Sequence, residues 1–152
     1  MITNMSGAWD PLNPKYADIK RIETKLKKIP KGTILRHGGL TDCFQPVELQ
    51  RRVTLQTLKL MNKYGIGYLI VTKSHHVADK EYLDVMDPAL AHIQITVTTF
   101  DDALAAQYEK ASVPSKRVEA IEELYSQGYD TFFRLSPYID GWIDFDQGFR
   151  CG

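Results

Sequence analysis

The residues able to hold a small ligand sit where apolar runs of the chain end. One such run closes in His37-Gly38-Gly39-Leu40-Thr41-Asp42 and another in Thr72-Lys73-Ser74-His75-His76. Paired glycines let backbone approach a ligand, and Thr41 and Asp42 add a hydroxyl and a carboxylate. A turn in which Asp42 bonds its own loop explains the same residues equally well. Lys73, directly after an apolar run, sets an ammonium where a carboxylate or phosphate can meet it; the plainer alternative is a solvated loop lysine. Thr96 and Thr98 come from the polar positions of an alternating run, where they either face a cavity or bond to nearby backbone. Arg134 and Ser136 end a further run. That guanidinium either clamps an anion or pairs with Glu109 or Asp130.

His75 and His76 invite a metal reading. Adjacent side chains diverge in an extended loop, however, and no HxxxH, HxH or acidic-partner spacing accompanies them, so no metal is assigned. Nucleophilic catalysis finds little support: Cys43 lacks a catalytic signature, and the GxSxG, Walker and GxGxxG patterns are absent. Cys43 reads as a small buried hydrophobe and Cys151, beside the C-terminus, as incidental.

The elements that must position these groups follow from periodicity. Residues 1–14 hold Asn4, Gly7, Pro11, Asn13 and Pro14 without a sustained period, an extended or disordered lead-in to a single domain over 15–152. Ile19, Ile22, Leu26 and Ile29 predict an amphipathic helix over 16–28, stopped by Pro30 and Gly32. A first strand spans 33–37. A helix starting near Pro46 carries Leu49, Val53, Leu55, Leu58, Leu60 and Met61 to a stop at Tyr64-Gly65. The apolar run 68–72 predicts a strand covered on both faces. Asp79 caps a short helix to Met86, and Ile93, Ile95 and Val97 alternate through a strand over 92–99.

A short helix over 101–109 follows. A stronger one over 115–127 carries Val118, Ile121, Leu124 and Tyr125 and stops at Gly128. The last strand is 131–135, and Trp142, Phe145 and Phe149 recur at helical spacing in the tail. Four strands separated by helices make an α/β chain with right-handed parallel crossovers, either an open parallel sheet or a segment of a (β/α) barrel. Both gather ligands at the carboxyl ends of the strands.

Composition excludes several function classes. Of 152 residues, 19 are Lys or Arg and 19 are Asp or Glu, so no global field attracts nucleic acid or an acidic membrane. A hydrophobic share of 43% is too high for disorder, and no apolar run approaches the roughly 20 residues of a bilayer span. No signal-peptide pattern opens the chain and two distant cysteines give no disulfide framework, which fits a cytoplasmic setting.

Taken in order, GGLTDCFQPVE, LIVTKS, ITVTTFDD, then Glu109, Pro114 and Arg117 within EKASVPSKRVEAIEEL, and finally FRLSPYIDG, resemble the radical S-adenosylmethionine proteins of the spore photoproduct lyase and DNA repair photolyase-like group. The likeness spans about residues 33–141. It implies a partial (β/α) barrel, S-adenosylmethionine as cofactor and a four-iron four-sulfur cluster on a CxxxCxxC loop. By the same resemblance Gly38, Thr41 and Asp42 match the loop near the methionine amino end, and Lys73 matches the lysine near the cofactor carboxylate. Thr96 matches the next strand's cofactor-facing residue, and Arg134 and Ser136 match the strand that closes the site. Where the family's loop often ends in glutamate, Leu40 here precedes Thr41 and Asp42.

CxxxCxxC is missing, and Cys43 and Cys151 cannot supply three thiolates. The expectation is therefore a truncated cofactor-binding and scaffold part of such a barrel, inactive alone, with weak or absent cofactor binding. Two other classes fit the same residues: a non-catalytic module that oligomerises through exposed sheet edges, and a small-anion binder using Lys73 and Arg134.

Overall fold

The computed structural model describes residues 17–37 and 41–143. The expected lead-in, the glycines Gly38 and Gly39 with Leu40, the Phe145 and Phe149 spacing and Cys151 lie outside them. Four strands, β1 (Ile34–His37), β2 (Gly67–Thr72), β3 (Ala91–Thr96) and β4 (Asp130–Arg134), form one parallel sheet in the order β1-β2-β3-β4. Six helices connect or precede them: α1 (Ile19–Leu26), α2 (Glu48–Arg51), α3 (Val53–Tyr64), α4 (Lys80–Leu83), α5 (Asp102–Tyr108) and α6 (Pro114–Ser126), with a 3-10 turn at His75–Ala78. None of the helices among the described residues is long and apolar enough to cross a membrane.

The strand order decides between the two architectures. When each right-handed crossover adds its strand on the same side as the last, every helix falls on the same face of the sheet. A doubly wound sheet instead needs a reversal of order. The structure is thus an arc of a (β/α) barrel, and its core confirms the sidedness. Tyr68, Ile70, Ala91, Ile93 and Ile95 pack with Leu26 of α1, Leu58 and Met61 of α3, Tyr82 of α4 and Ala120 and Leu124 of α6. Leu69, of opposite parity, is only half-buried. Val71, on the same face as Leu69, is buried, so β2 is covered along most of its length on both faces, as its apolar run predicts, with the helices covering one of them.

Three helix readings also change. The helix expected from Pro46 onward is broken at Arg52, a non-glycine residue in the left-handed region at φ 54°. The break is stabilised from outside α3. Glu48 accepts the N–H groups of Thr54 (2.8 Å) and Leu55 (3.0 Å), first-turn donors that otherwise lack partners, and also the Tyr82 hydroxyl (2.9 Å). Arg52 in turn reaches Glu81 at 2.8 Å.

Asp79 does not cap α4 with its side chain; that carboxylate lies instead against His76. In α6 the buried stripe is Arg117, Ala120 and Leu124, whereas Tyr125 is exposed. The helix is rotated from its expected phase so that a charged residue, not an aromatic one, points inward. Gly65 ends α3 at φ 62°, where an added Cβ would fall 2.8 Å from the Lys31 side chain.

Candidate functional site

Parallel strands place all four carboxyl ends on one rim, and three of the loops there are tied together by side chains. Asp42, after β1, accepts the Phe44 N–H (2.9 Å) through Oδ1 and the Lys73 N–H (2.8 Å) through Oδ2. The Thr72 hydroxyl lies 2.8 Å from both oxygens. Thr72 Oγ1 also accepts the Ser74 N–H at 3.0 Å. The carboxylate thus joins the first loop to the end of β2, and its acceptor capacity is largely used within the chain.

The second tie centres on Glu109, which follows α5 in extended conformation. Its Oε1 receives the Lys73 ammonium (2.5 Å) and the Thr98 hydroxyl (2.6 Å), and its Oε2 receives Arg117 Nη2. Pro114 opens α6 with its fixed φ and sets Arg117 one turn into the helix. The Arg117 guanidinium is fully buried, donating through Nε to the Ser112 carbonyl (2.6 Å) and through Nη1 to the Thr96 carbonyl (2.9 Å). Burial alone would raise the Glu109 pKa. The bonds from Lys73, Thr98 and Arg117 together outweigh it and lower the pKa to about 2.

One carboxylate between two cations leaves this triad with one positive charge in excess. Lys73 is the accessible member: its side chain is 32% exposed, against 12% for Glu109. An ammonium has three N–H donors, and among the described residues the Nζ of Lys73 bonds only to Glu109. The geometry therefore supplies a held, partly solvated cation suited to a carboxylate or phosphate oxygen.

The other expected site residues divide. Thr41 is exposed beside Asp42. Thr96 is buried, with its carbonyl engaged by Arg117, and stands opposite Arg134 in the β3–β4 register. Arg134 and Ser136 are half-buried. The pairing of Arg134 with Glu109 or Asp130 does not form among the described residues, because Glu109 takes Lys73 and Arg117 while Asp130 takes His92. Thr72 and Ser112 were not singled out from the sequence. Arg117 carried a usable signal, since it lies on the helical stripe of Ile121 and Leu124, where a charge needs a buried partner.

Cys43 is half-buried against the core, and burial, with the Asp42 and Glu48 carboxylates nearby, pushes its thiol far up from the ordinary range. It is a poor thiolate. Two cysteines in the whole chain do not fit an iron-sulfur cluster held by three or four thiolates. His75 and His76 do not diverge as expected: their rings lie 4.1 Å apart, centre to centre, tilted by 36°.

No protein-family profile and no curated protein matches the chain. Two solved structures share its fold. One is a cysteine-to-serine mutant of spore photoproduct lyase, at a TM-score of 0.68 and 16% identity, covering 85% of this chain and 39% of the lyase. The other is spore photoproduct lyase complexed with dinucleoside spore photoproduct, at 0.61 and 15%, covering 82% of this chain and 36% of that one. The chain therefore spans less than half the length of these structures, and at such identity the likeness establishes the partial-barrel fold.

Proposed function

We propose that this chain is the cofactor-binding and scaffold arc of a radical S-adenosylmethionine barrel, with Lys73 receiving the carboxylate of the cofactor's methionine end. The observation that carries this reading is the Lys73–Glu109–Arg117 triad with its excess positive charge at a rim where strand ends converge. The shared fold with spore photoproduct lyase supports it. The remaining roles are assigned on the sequence resemblance: Gly38, Thr41 and Asp42 near the methionine amino end, Thr96 facing the cofactor from the next strand, and Arg134 and Ser136 on the strand that closes the site. The cluster chemistry of such enzymes has no matching thiolates in this sequence, so catalysis by this chain alone is not proposed.

Calorimetric titration with S-adenosylmethionine tests the reading. Weak binding is expected, with a Kd on the order of 1 mM, lost in Lys73→Ala. Binding that survives Lys73→Ala, or phosphate binding with none of the cofactor, sinks it.

A second reading rests on the edge strands. Ile34 of β1 and Phe132 of β4 are 54% and 53% exposed, large apolar groups at the two open edges. A second copy of the chain that covers them would make this an oligomerising module. Light scattering showing a dimer dispersed by Phe132→Glu would support it, and a monomer at high concentration would end it.

A further inference from the structure

We propose that His75, His76 and Asp79 form a binding site for a first-row divalent metal ion of the zinc, cobalt or nickel kind. Each offers one donor atom, and the three lie within 4.8 Å of one another. Tetrahedral ligands at ordinary metal–nitrogen and metal–oxygen distances are roughly 3.4 Å apart. The cluster is thus open by about 1.4 Å at most, a gap that side-chain rotation can close because all three residues are half-exposed.

The local fold explains the convergence. Ser74 Oγ accepts the His76 N–H (3.3 Å) and starts a 3-10 turn at His75–Ala78. With three residues per turn, positions i and i+3 eclipse, which brings Asp79 over His76. Asp79 Oδ2 then lies 2.8 Å from His76 Nδ1. His75 is fixed from a different element: Ser112, in the loop before α6, has its Oγ 2.7 Å from His75 Nδ1 and accepts the His75 N–H at 3.0 Å. A hydroxyl on one ring nitrogen orients the imidazole and leaves Nε2 for a metal, the usual second support of a ligating histidine.

Two imidazoles and one carboxylate suit borderline ions and not calcium or magnesium, which favour all-oxygen shells. Half-exposure supplies an entry path and a further coordination position for water. Binding replaces the His76–Asp79 hydrogen bond with bonds to the ion and releases any proton shared between them. His92 with Asp130 provides an internal contrast, being another histidine–carboxylate pair that lacks a second imidazole.

The test is titration of the untagged full chain with zinc chloride and cobalt chloride. One ion per chain is expected, with affinity reduced about tenfold or more in His76→Gln and Asp79→Asn, about tenfold in Ser112→Ala, and unchanged in His92→Gln. Circular dichroism checks that the variants fold. In the unaltered protein, paramagnetic cobalt should broaden the imidazole proton resonances of His75 and His76 before those of His92. Absence of saturable binding, equal affinity in folded His76→Gln, or preferential broadening of His92 overturns the proposal.

Discussion

Along β2 and β3, residues of alternate parity meet two different environments. Tyr68, Ile70, Ala91, Ile93 and Ile95 are sealed beneath helices, whereas on the other face Leu69, His92 and Gln94 of the same strands remain half-exposed and burial reaches only Val71 and Thr96, toward the strand ends. Ile34 and Phe132 extend that second face to both edges of the sheet. One face is a continuous buried core, and the other mixes apolar and polar groups of lesser burial. The rim of strand ends lies between them, where Glu109 holds the buried Arg117 and the partly exposed Lys73 together. Stability in this chain should therefore come from the helix side and the rim, leaving the open face free to vary.

The rim gives the largest expected effect. Glu109→Ala leaves the buried Arg117 without its carboxylate, an uncompensated charge that should cost about 3–5 kcal/mol in urea unfolding. A loss below about 1 kcal/mol would mean that the carbonyls of Ser112 and Thr96 suffice for the guanidinium. On the helix side, Ile93→Ala should cost about 3 kcal/mol by lost burial and a cavity.

Acid should act through the rim as well. The Glu109 pKa is lowered to about 2 in the folded chain, against about 4.3 for an unfolded glutamate. Its contribution is fully present above about 4.5 and is lost as pH falls from there through about 2, because the unfolded state then binds the proton more readily. The stability difference between the unaltered chain and Glu109→Gln should shrink over that window; a difference independent of pH would contradict the assignment. Asp102, lowered by the Ser115 hydroxyl and N–H, keeps some acid sensitivity in the variant.

The smallest effect belongs to the open face. Phe132→Ala should change stability by less than about 0.5 kcal/mol, and a cost matching that of Ile93→Ala would erase the contrast between the two faces.

Much of this architecture was legible in the residues. Alternation in 92–99 and the apolar run 68–72 marked strands, and the helix expected over 115–127 with its stop at Gly128 matches α6 to within a residue at each end. Strand ends rich in polar groups pointed to the rim. What stayed hidden depended on contacts between distant segments. Glu48 breaks the helix at Arg52 by reaching Thr54, Leu55 and Tyr82, a bonding set that no local propensity encodes. His75 and His76 read as divergent because a 3-10 turn held by Ser74 and Ser112 has no hydrophobic period. The apolar run 68–72 marked a strand with buried residues of both parities, Leu69 alone being half-buried. Asp42 was legible as either a ligand group or a loop acceptor, and the structure shows the internal bonds of the second.

The sequential strand order also bears on how the chain comes together. Each strand docks beside the one made just before it, so no later segment has to be inserted between two earlier ones. Growth can follow the direction of synthesis, with every new strand and helix extending a surface already in place.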